Sequence, residues 1–470
     1  MSKKFHFLNH TSILIQHDLH FLLLDPWPTE ALSFDSWKSH PPSFLDNNIL
    51  ASFINSSDNK FGIIVSHGHD DHCDDTFLKK INSITPIFFP DYETKGTLNR
   101  LKHNDLNNIT LLNSIEKKSF GPFSISSYII SEQSKDDAVI IVSTDEYVLV
   151  HANDNSVEFP SELINDILNI KGKTKKTFFA SQTGIANGFP YCYPQFGAYT
   201  DPSKMKIIAE QKNIETIQIA IKNANLVKAD NFISYAAYTM SMSLLEKSDE
   251  KNSSPQIIPS PTYLRDLPLN WGNVSLLDYV PGDTFNLKTD LVERPFWLKN
   301  GFENMVAELQ KLRLDSIKDF KKEIALKAEQ FKDISDEDLI HYTSKYLEHF
   351  YNFVLRSESS PKNDIMKSSI EIKIENINSI ILNFKDGTIN KNNKVTPNKR
   401  ITINKNICLL LLSGIYNFES LYIGHHAKFE RFPKEIFNTE LVKQLEIFGY
   451  IYQKRLVPKE LNPTTSLSNK

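Results

Sequence analysis

The chain has 470 residues, of which 40% are hydrophobic and 23% charged, with a formal net charge of −4. At roughly 150 residues per domain this length allows two to four domains with sizeable cores. The near-neutral balance excludes a chain-wide basic face for nucleic acid. Apolar runs such as Phe21–Leu24 and Cys408–Leu412 fall far short of the ~20 residues of a membrane span. Met1–Phe7 has no apolar signal core, and Cys73, Cys192 and Cys408 are too scattered for a disulfide framework. The reading is therefore a cytoplasmic protein in a reducing compartment.

In chain order, Ser12–Gln16 and Phe21–Leu24 read as two strands of a hairpin joined through His17–His20. Gly62–Val65 is a short strand ending at Ser66, Asp75–Ile81 opens a helix, and Pro86–Phe89 is a buried strand. Phe123–Ile130, Ala138–Val142 and Tyr147–Val150 are three more strands. Strand, short helix, strand is the rhythm of a layered α/β protein with helices outside. Residues 201–229 read as helix, Phe232–Ala237 as a strand and Pro255–Pro281 as irregular. Leu309, Leu312, Ile317 and Phe320 stand near helical spacing, and Ser335-Asp336-Glu337-Asp338 marks a helix start. Ser357–Asn363 reads as a linker and residues 366–455 as an α+β block. The domain expectation is thus 1–294, a helical connecting segment 295–360, an α+β domain 361–457 and a fraying tail 458–470.

The most informative stretch is Ser66-His67-Gly68-His69-Asp70-Asp71-His72. In an extended segment residues i and i+2 point the same way, so His67 and His69 can grip one ion. Asp71 and His72 enter the next turn and face a second ion. Asp70 and Cys73 are read as spectators. Two adjacent cations need a shared anion, and Asp154, at the end of the run from Val148, is the candidate. His151 is read as structural or as backing a ligand. His10 and Asp25 are candidates to support the ligands from behind, Asp25 by accepting a ring N–H. Trp27, Trp37 and Tyr191 are candidate pocket walls, and Gly184–Phe189 a candidate cleft loop. His425 and His426, at i and i+1, are read as surface residues.

The H-x-H-x-D-H run followed by a strand-end Asp about eighty residues later resembles the metallo-β-lactamase superfamily. Within it the chain is similar to the CMP-N-acetylneuraminate hydroxylase family and its bacterial relatives. The similar segments are His10-Thr11-Ser12, Asp25-Pro26-Trp27, Ser36 to Pro42, Ser66–His72, Asp137 to Val142, Ala186 to Pro190, Ala236-Ala237-Tyr238, Leu421 to Gly424, Arg431 and Pro433. The resemblance implies an αββα sandwich followed by a helical segment and a smaller α+β C-terminal domain. It also implies one or two iron ions and O₂ chemistry. Three departures follow. The chain has no Rieske-type cysteine and histidine pairs, so electrons would come from an external donor. The superfamily's third histidine falls within Ser131-Glu132-Gln133-Ser134, where Glu132, or less well Gln133, stands in, or the slot is left open. Its last histidine falls near Ser243, a poor ligand.

Three functions compete on these residues. The first is an iron oxygenase acting on a small polar or sugar-like molecule. The second is a zinc or manganese hydrolase of an ester or phosphodiester, with Asp71 moving the proton. The third is a catalytically degenerate binding module.

Overall fold

Ala138–Ser143 and Tyr147–Asn153 are apolar at most positions because both of their faces are buried. Successive side chains alternate. Ile140, Val142 and Leu149 face another sheet. Val139, Ile141, Val148 and Val150 face helices. The computed structural model describes residues 2–27, 31–32, 37–39, 46–57, 60–93, 95–114, 116–130, 137–173, 175–184, 189–197, 200–237, 239–241, 261–294, 302–356, 365–391, 396–436 and 439–462.

The strands up to residue 294 are β1 (Lys3–Phe7), β2 (Ile13–His17), β3 (His20–Leu24), β4 (Ala31–Leu32), β5 (Trp37–Ser39), β6 (Phe61–Ile64), β7 (Ile87–Pro90), β8 (Ile109–Leu112), β9 (Lys118–Phe120), β10 (Phe123–Ile129), β11 (Ala138–Ser143), β12 (Tyr147–Asn153), β13 (Lys176–Gln182), β14 (Asn231–Tyr235), β15 (Thr239–Ser241), β16 (Ser275–Leu276), β17 (Thr284–Asn286) and β18 (Leu291–Glu293). One sheet has the order β18-β17-β1-β2-β3-β6-β7-β8 and the other β16-β14-β13-β12-β11-β10-β9; β15, β5 and β4 form a small third sheet. Phe5, Ile15 and Leu22 of the first large sheet share a core with Ile125, Ile140 and Phe178 of the second.

Helices cover both outer faces. On the first sheet lie α1 (Asn47–Asn55), α2 (Asp75–Leu78) and α3 (Gly96–His103), through Leu50, Phe77 and Leu101. On the second lie α4 (Ser161–Lys171) and α5 (Pro202–Leu226), through Leu163, Ile167, Ile217 and Ile221. The result is the expected αββα sandwich. Strands β3, β6, β7 and β8 run parallel, as do β12, β13, β14 and β16. Parallel strands leave their carboxyl ends along one rim, where ligands bind in open α/β sheets. The hairpin register pairs His17 with His20 across the turn, as the sequence suggested. Pro255–Pro281 was expected to be irregular, yet its described part holds a helix, α6 (Pro261–Asp266), and β16. Leu264 and Leu276 pack on the helix-facing side of the second sheet, which orders them.

The chain continues through α7 (Phe302–Glu329) and α8 (Asp336–Arg356) into a five-stranded sheet. Its strands are β19 (Ser369–Ile374), β20 (Asn378–Asn383), β21 (Thr388–Lys391), β22 (Lys399–Ile403) and β23 (Lys428–Arg431), in the order β21-β20-β19-β22-β23. The Ser335 hydroxyl caps α8 by accepting from Asp338 N at 3.0 Å. Ile317, Phe320, Leu347 and Phe350 of α7 and α8 share one apolar core with these strands and with the helix Lys405–Leu412. Cys192 and Tyr193 enter the same core, and Cys192 O accepts from Phe429 N at 2.7 Å. His425 and His426 are not surface residues, because the helix Phe418–Ile423 ends in a left-handed turn at His425 (φ 56°) that folds the pair inward. His425 stacks on Tyr191 with centroids 5.3 Å apart, and His426 lies against Tyr416 and Phe320.

Phe178 is fully buried between the sheets and meets Phe5 edge-on at 4.9 Å. Phe178→Ala is expected to cost about 3–5 kcal/mol in urea unfolding. Leu326→Ala, at a position 74% exposed, should stay within about 0.5 kcal/mol of the parent. Equal midpoints for the two variants would contradict the two-sheet core.

Candidate metal centre

The histidine loop leaves β6 at Val65 and enters α2 at Asp75. His72 N and Cys73 N both donate to His69 O, at 3.0 and 2.9 Å, which curls the loop into a tight turn. Arg100 of α3 clamps it from outside, donating to Gly68 O, Asp70 Oδ1 and Cys73 O at 2.7 Å each. A side chain at residue 68 would meet Thr97 Oγ1 at 2.2 Å, so Gly68 is needed for packing against α3. Cys73 is buried, and burial pushes its thiol up to about 12, leaving it inert.

Three other rim positions approach this loop. Asp25 follows β3, Asp154 follows β12, and Tyr235 ends β14. Asp25, Asn153 and Ala236 all hold left-handed φ values, 45°, 60° and 50°, where the strands turn off the sheets. Such backbone is uncommon for residues other than glycine and clusters at functional sites.

Asp25 is almost fully buried and accepts from Ser66 N at 2.7 Å, Ser66 Oγ at 2.8 Å, Tyr235 OH at 2.6 Å and His72 Nδ1 at 3.0 Å. Burial pushes its carboxyl up. The facing His72 ring, with His151 and His67 behind it, outweighs burial and brings it down to about 2. His72 is thereby oriented with Nε2 inward, the arrangement in which a carboxylate fixes the tautomer of a metal-binding imidazole. Burial lowers His72, but Asp71, Asp154 and Asp25 together hold it well above the ordinary histidine value.

Asp154 Oδ2 stands 3.7 Å from His67 Nε2, 3.7 Å from His69 Nδ1 and 3.6 Å from His72 Nε2. Ligand atoms of His67, His72 and Asp154 all lie within 4.8 Å of one another. Asp71 Oδ2 is 3.4 Å from His72 Nε2 and 3.4 Å from His10 Nε2. His72 Nε2 and Asp154 Oδ1 are buried and have no hydrogen-bond partner among the described residues. Buried polar atoms are normally satisfied. Two imidazoles and two carboxylates aimed at one another, with such atoms left over, fit a divalent cation.

The structure thus brings together His67, His69, Asp71, His72 and Asp154, with Asp25 and His10 against them. Glu132, Gln133 and Ser243 lie outside the described residues. Trp27 does not line an open cleft: it is fully buried and packs edge-on against His10, with centroids 5.6 Å apart. His151 is buried on β12, 4.0 Å from Asp25 Oδ2 and edge-on to Tyr235. Four residues escaped the sequence reading. Ser66 and Tyr235 hold Asp25, while Asn153 Nδ2 at 3.0 Å and Asp137 Oδ1 at 3.5 Å face His67 Nδ1. Their one shared signal is a polar residue at a strand end.

No family model and no curated protein matches the chain. Among solved structures it is similar to Igni18, a metallo hydrolase from Ignicoccus hospitalis, at 14% identity over 61% of this chain and 99% of that one (TM-score 0.37). It is similar to an isothiocyanate hydrolase from Delia radicum gut bacteria, at 12% identity over 60% and 99% (TM-score 0.37). It is also similar to CmlA, a diiron β-hydroxylase from Streptomyces venezuelae, at 11% identity over 50% and 45% (TM-score 0.33).

Asp25→Asn keeps the side-chain volume but removes the charge that orients His72. Metal affinity, measured by competition with a chromophoric chelator, is expected to fall roughly 10–100-fold with an unchanged circular dichroism spectrum. Unchanged affinity would show that Asp25 serves the fold alone.

Proposed function

We propose that this chain is a metal-dependent enzyme of the metallo-β-lactamase type and, more specifically, a non-haem iron oxygenase. It would hold one or two ions and hydroxylate a small polar or sugar-like molecule. The observation that carries the reading is the donor set of His67, His72 and Asp154 within 4.8 Å. Two imidazoles and one carboxylate are the ligand type associated with non-haem iron oxygenases, and Asp71 adds a second hard oxygen donor. When bound, iron supplies O₂ activation, whereas zinc or manganese supplies an acidified water.

The chain's own residues orient and hold. Asp25 and Tyr235 lock the His72 ring, and Asn153 and Ser66 hold His67. Asp154 faces all three histidines and would hold an ion with them. Reduction would need an external electron donor. Asp71 favours the second reading, a zinc or manganese hydrolase. Its side chain is 19% exposed, which leaves the carboxylate within reach of water.

His67→Ala is expected to abolish metal binding and activity together. Elemental analysis of protein purified without chelator, with O₂ uptake on reduction, separates the readings. Iron near one or two per chain with O₂ consumption supports the oxygenase. Zinc without O₂ uptake supports the hydrolase, and metal-free wild-type protein overturns both in favour of a binding module.

A further inference from the structure

We propose that Ser66 is a positioning residue that carries the influence of Asp25 on to His67. Its hydroxyl keeps the ring proton of His67 on Nδ1 and so leaves Nε2 open to an ion. This deepens the metal-centre reading and rests on it.

Donors and acceptors around Asp25 leave one consistent assignment. A carboxylate only accepts. Ser66 N, Ser66 Oγ, Tyr235 OH and His72 Nδ1 stand 2.7, 2.8, 2.6 and 3.0 Å from its oxygens, so each donates. A serine hydroxyl has a single proton. Ser66 gives it to Asp25 Oδ2, because otherwise two oxygens would face each other, lone pair to lone pair, at 2.8 Å. Ser66 Oγ then has only lone pairs to offer its other neighbour. His67 Nδ1 lies 3.1 Å from that oxygen and must be the donor. A neutral imidazole carries one N–H, so His67 Nε2 has none. Nε2 is the nitrogen that faces Asp154 Oδ2 at 3.7 Å. One buried carboxylate thus sets both rings, His72 directly and His67 through a hydroxyl.

The other neighbours of His67 do not make this choice. Asn153 is fully buried, with Nδ2 3.0 Å from His67 Nδ1 and Oδ1 without a partner among the described residues. Its amide can give an N–H to Nδ1 or, after half a turn, offer Oδ1 to a protonated Nδ1. Asn153 therefore suits either tautomer. His67 Nε2 and His69 Nδ1, 2.6 Å apart, can hydrogen-bond in either sense. Asp137 Oδ1, 3.5 Å from His67 Nδ1, lies beyond the ~2.7–3.2 Å of an N–H···O bond. Ser66 suits one tautomer alone, and it cannot turn away. It is buried, with its backbone N–H and its hydroxyl both on Asp25. Tyr92 OH donates to Ser66 O at 2.5 Å and ties it down from the other side.

The test reads ring protons by nitrogen NMR of full-length, metal-free protein labelled at histidine, at about pH 8, where an ordinary histidine is neutral. Spectra of His67→Gln and His72→Gln assign the two rings. Wild type is expected to carry a proton on Nδ1 of both. Ser66→Ala should shift His67 toward a proton on Nε2, since the Asn153 amide can then donate to Nδ1, and leave His72 Nδ1 protonated. Its affinity for Co²⁺ should fall roughly 10–100-fold, with an unchanged circular dichroism spectrum. Wild-type His67 protonated at Nε2 overturns the proposal, and this arm decides alone if Ser66→Ala does not fold. A folded Ser66→Ala overturns it if the His67 tautomer or the Co²⁺ affinity stays as in wild type. So does loss of the Nδ1 proton from both rings, because Ser66 would then only support the loop. Wild type that binds no Co²⁺ is the separate failure of the metal-centre reading, and the tautomers, read without metal, distinguish the two.

Discussion

A carboxylate buried as deeply as Asp25 must find donors for its oxygens, and the donors it finds come from separate strand ends. Ser66 comes from the loop after β6, His72 from the far side of that loop, and Tyr235 from β14. Because burying an unpaired charge is costly, this arrangement over-determines the rim. It fixes the distance between the two sheets at this point and turns His72 so that its free nitrogen faces Asp71 and Asp154. The left-handed backbone at Asp25 is held by the same network, with Asp25 N donating to Ile64 O at 2.9 Å.

Around that anchor the sandwich acts as a rigid frame. Strands buried on both faces cannot slip by one residue without moving an apolar row out of its core. The register of β12 on β11 and β13 is therefore fixed, and so is the place where Asp154 emerges. Arg100 does the corresponding work for the histidine loop, tying three of its groups to α3. Placing candidate ligands on strand ends, with hydrogen-bonded partners behind them, limits the reorganisation that a bound ion would demand.

The C-terminal sheet is joined to this frame through a short segment. Gln195 donates to Arg431 O at 2.8 Å and accepts from Arg431 N at 2.8 Å. The Arg431 guanidinium lies over Tyr193 and Phe196, at 4.9 and 5.1 Å from the ring centroids. With Cys192 and Tyr193 in its core, the C-terminal unit shares apolar burial with the segment that follows β13.

Much of this was legible from residue order alone. The hairpin of β2 and β3, the strands flanking Ser143, the helix after Asp201 and the crowded His67–His72 loop follow from local periodicity and from the improbability of such a loop. Local pattern also misled. His425 and His426 look polar and exposed, and Trp27 looks like a pocket wall, yet all three are buried. Helix α4 and strand β13 went unread because their apolar positions are too few, or too continuous, to show a period. What the sequence by itself determined is which residues can bind a cation and which faces need cover. What only the tertiary structure decided is which distant residues meet. Tyr235 lies 210 residues from Asp25, and a lone tyrosine or aspartate at a strand end looks the same in a turn as in a site. Periodicity reports that a face is buried; the register between strands, a long-range property, decides what is buried against it.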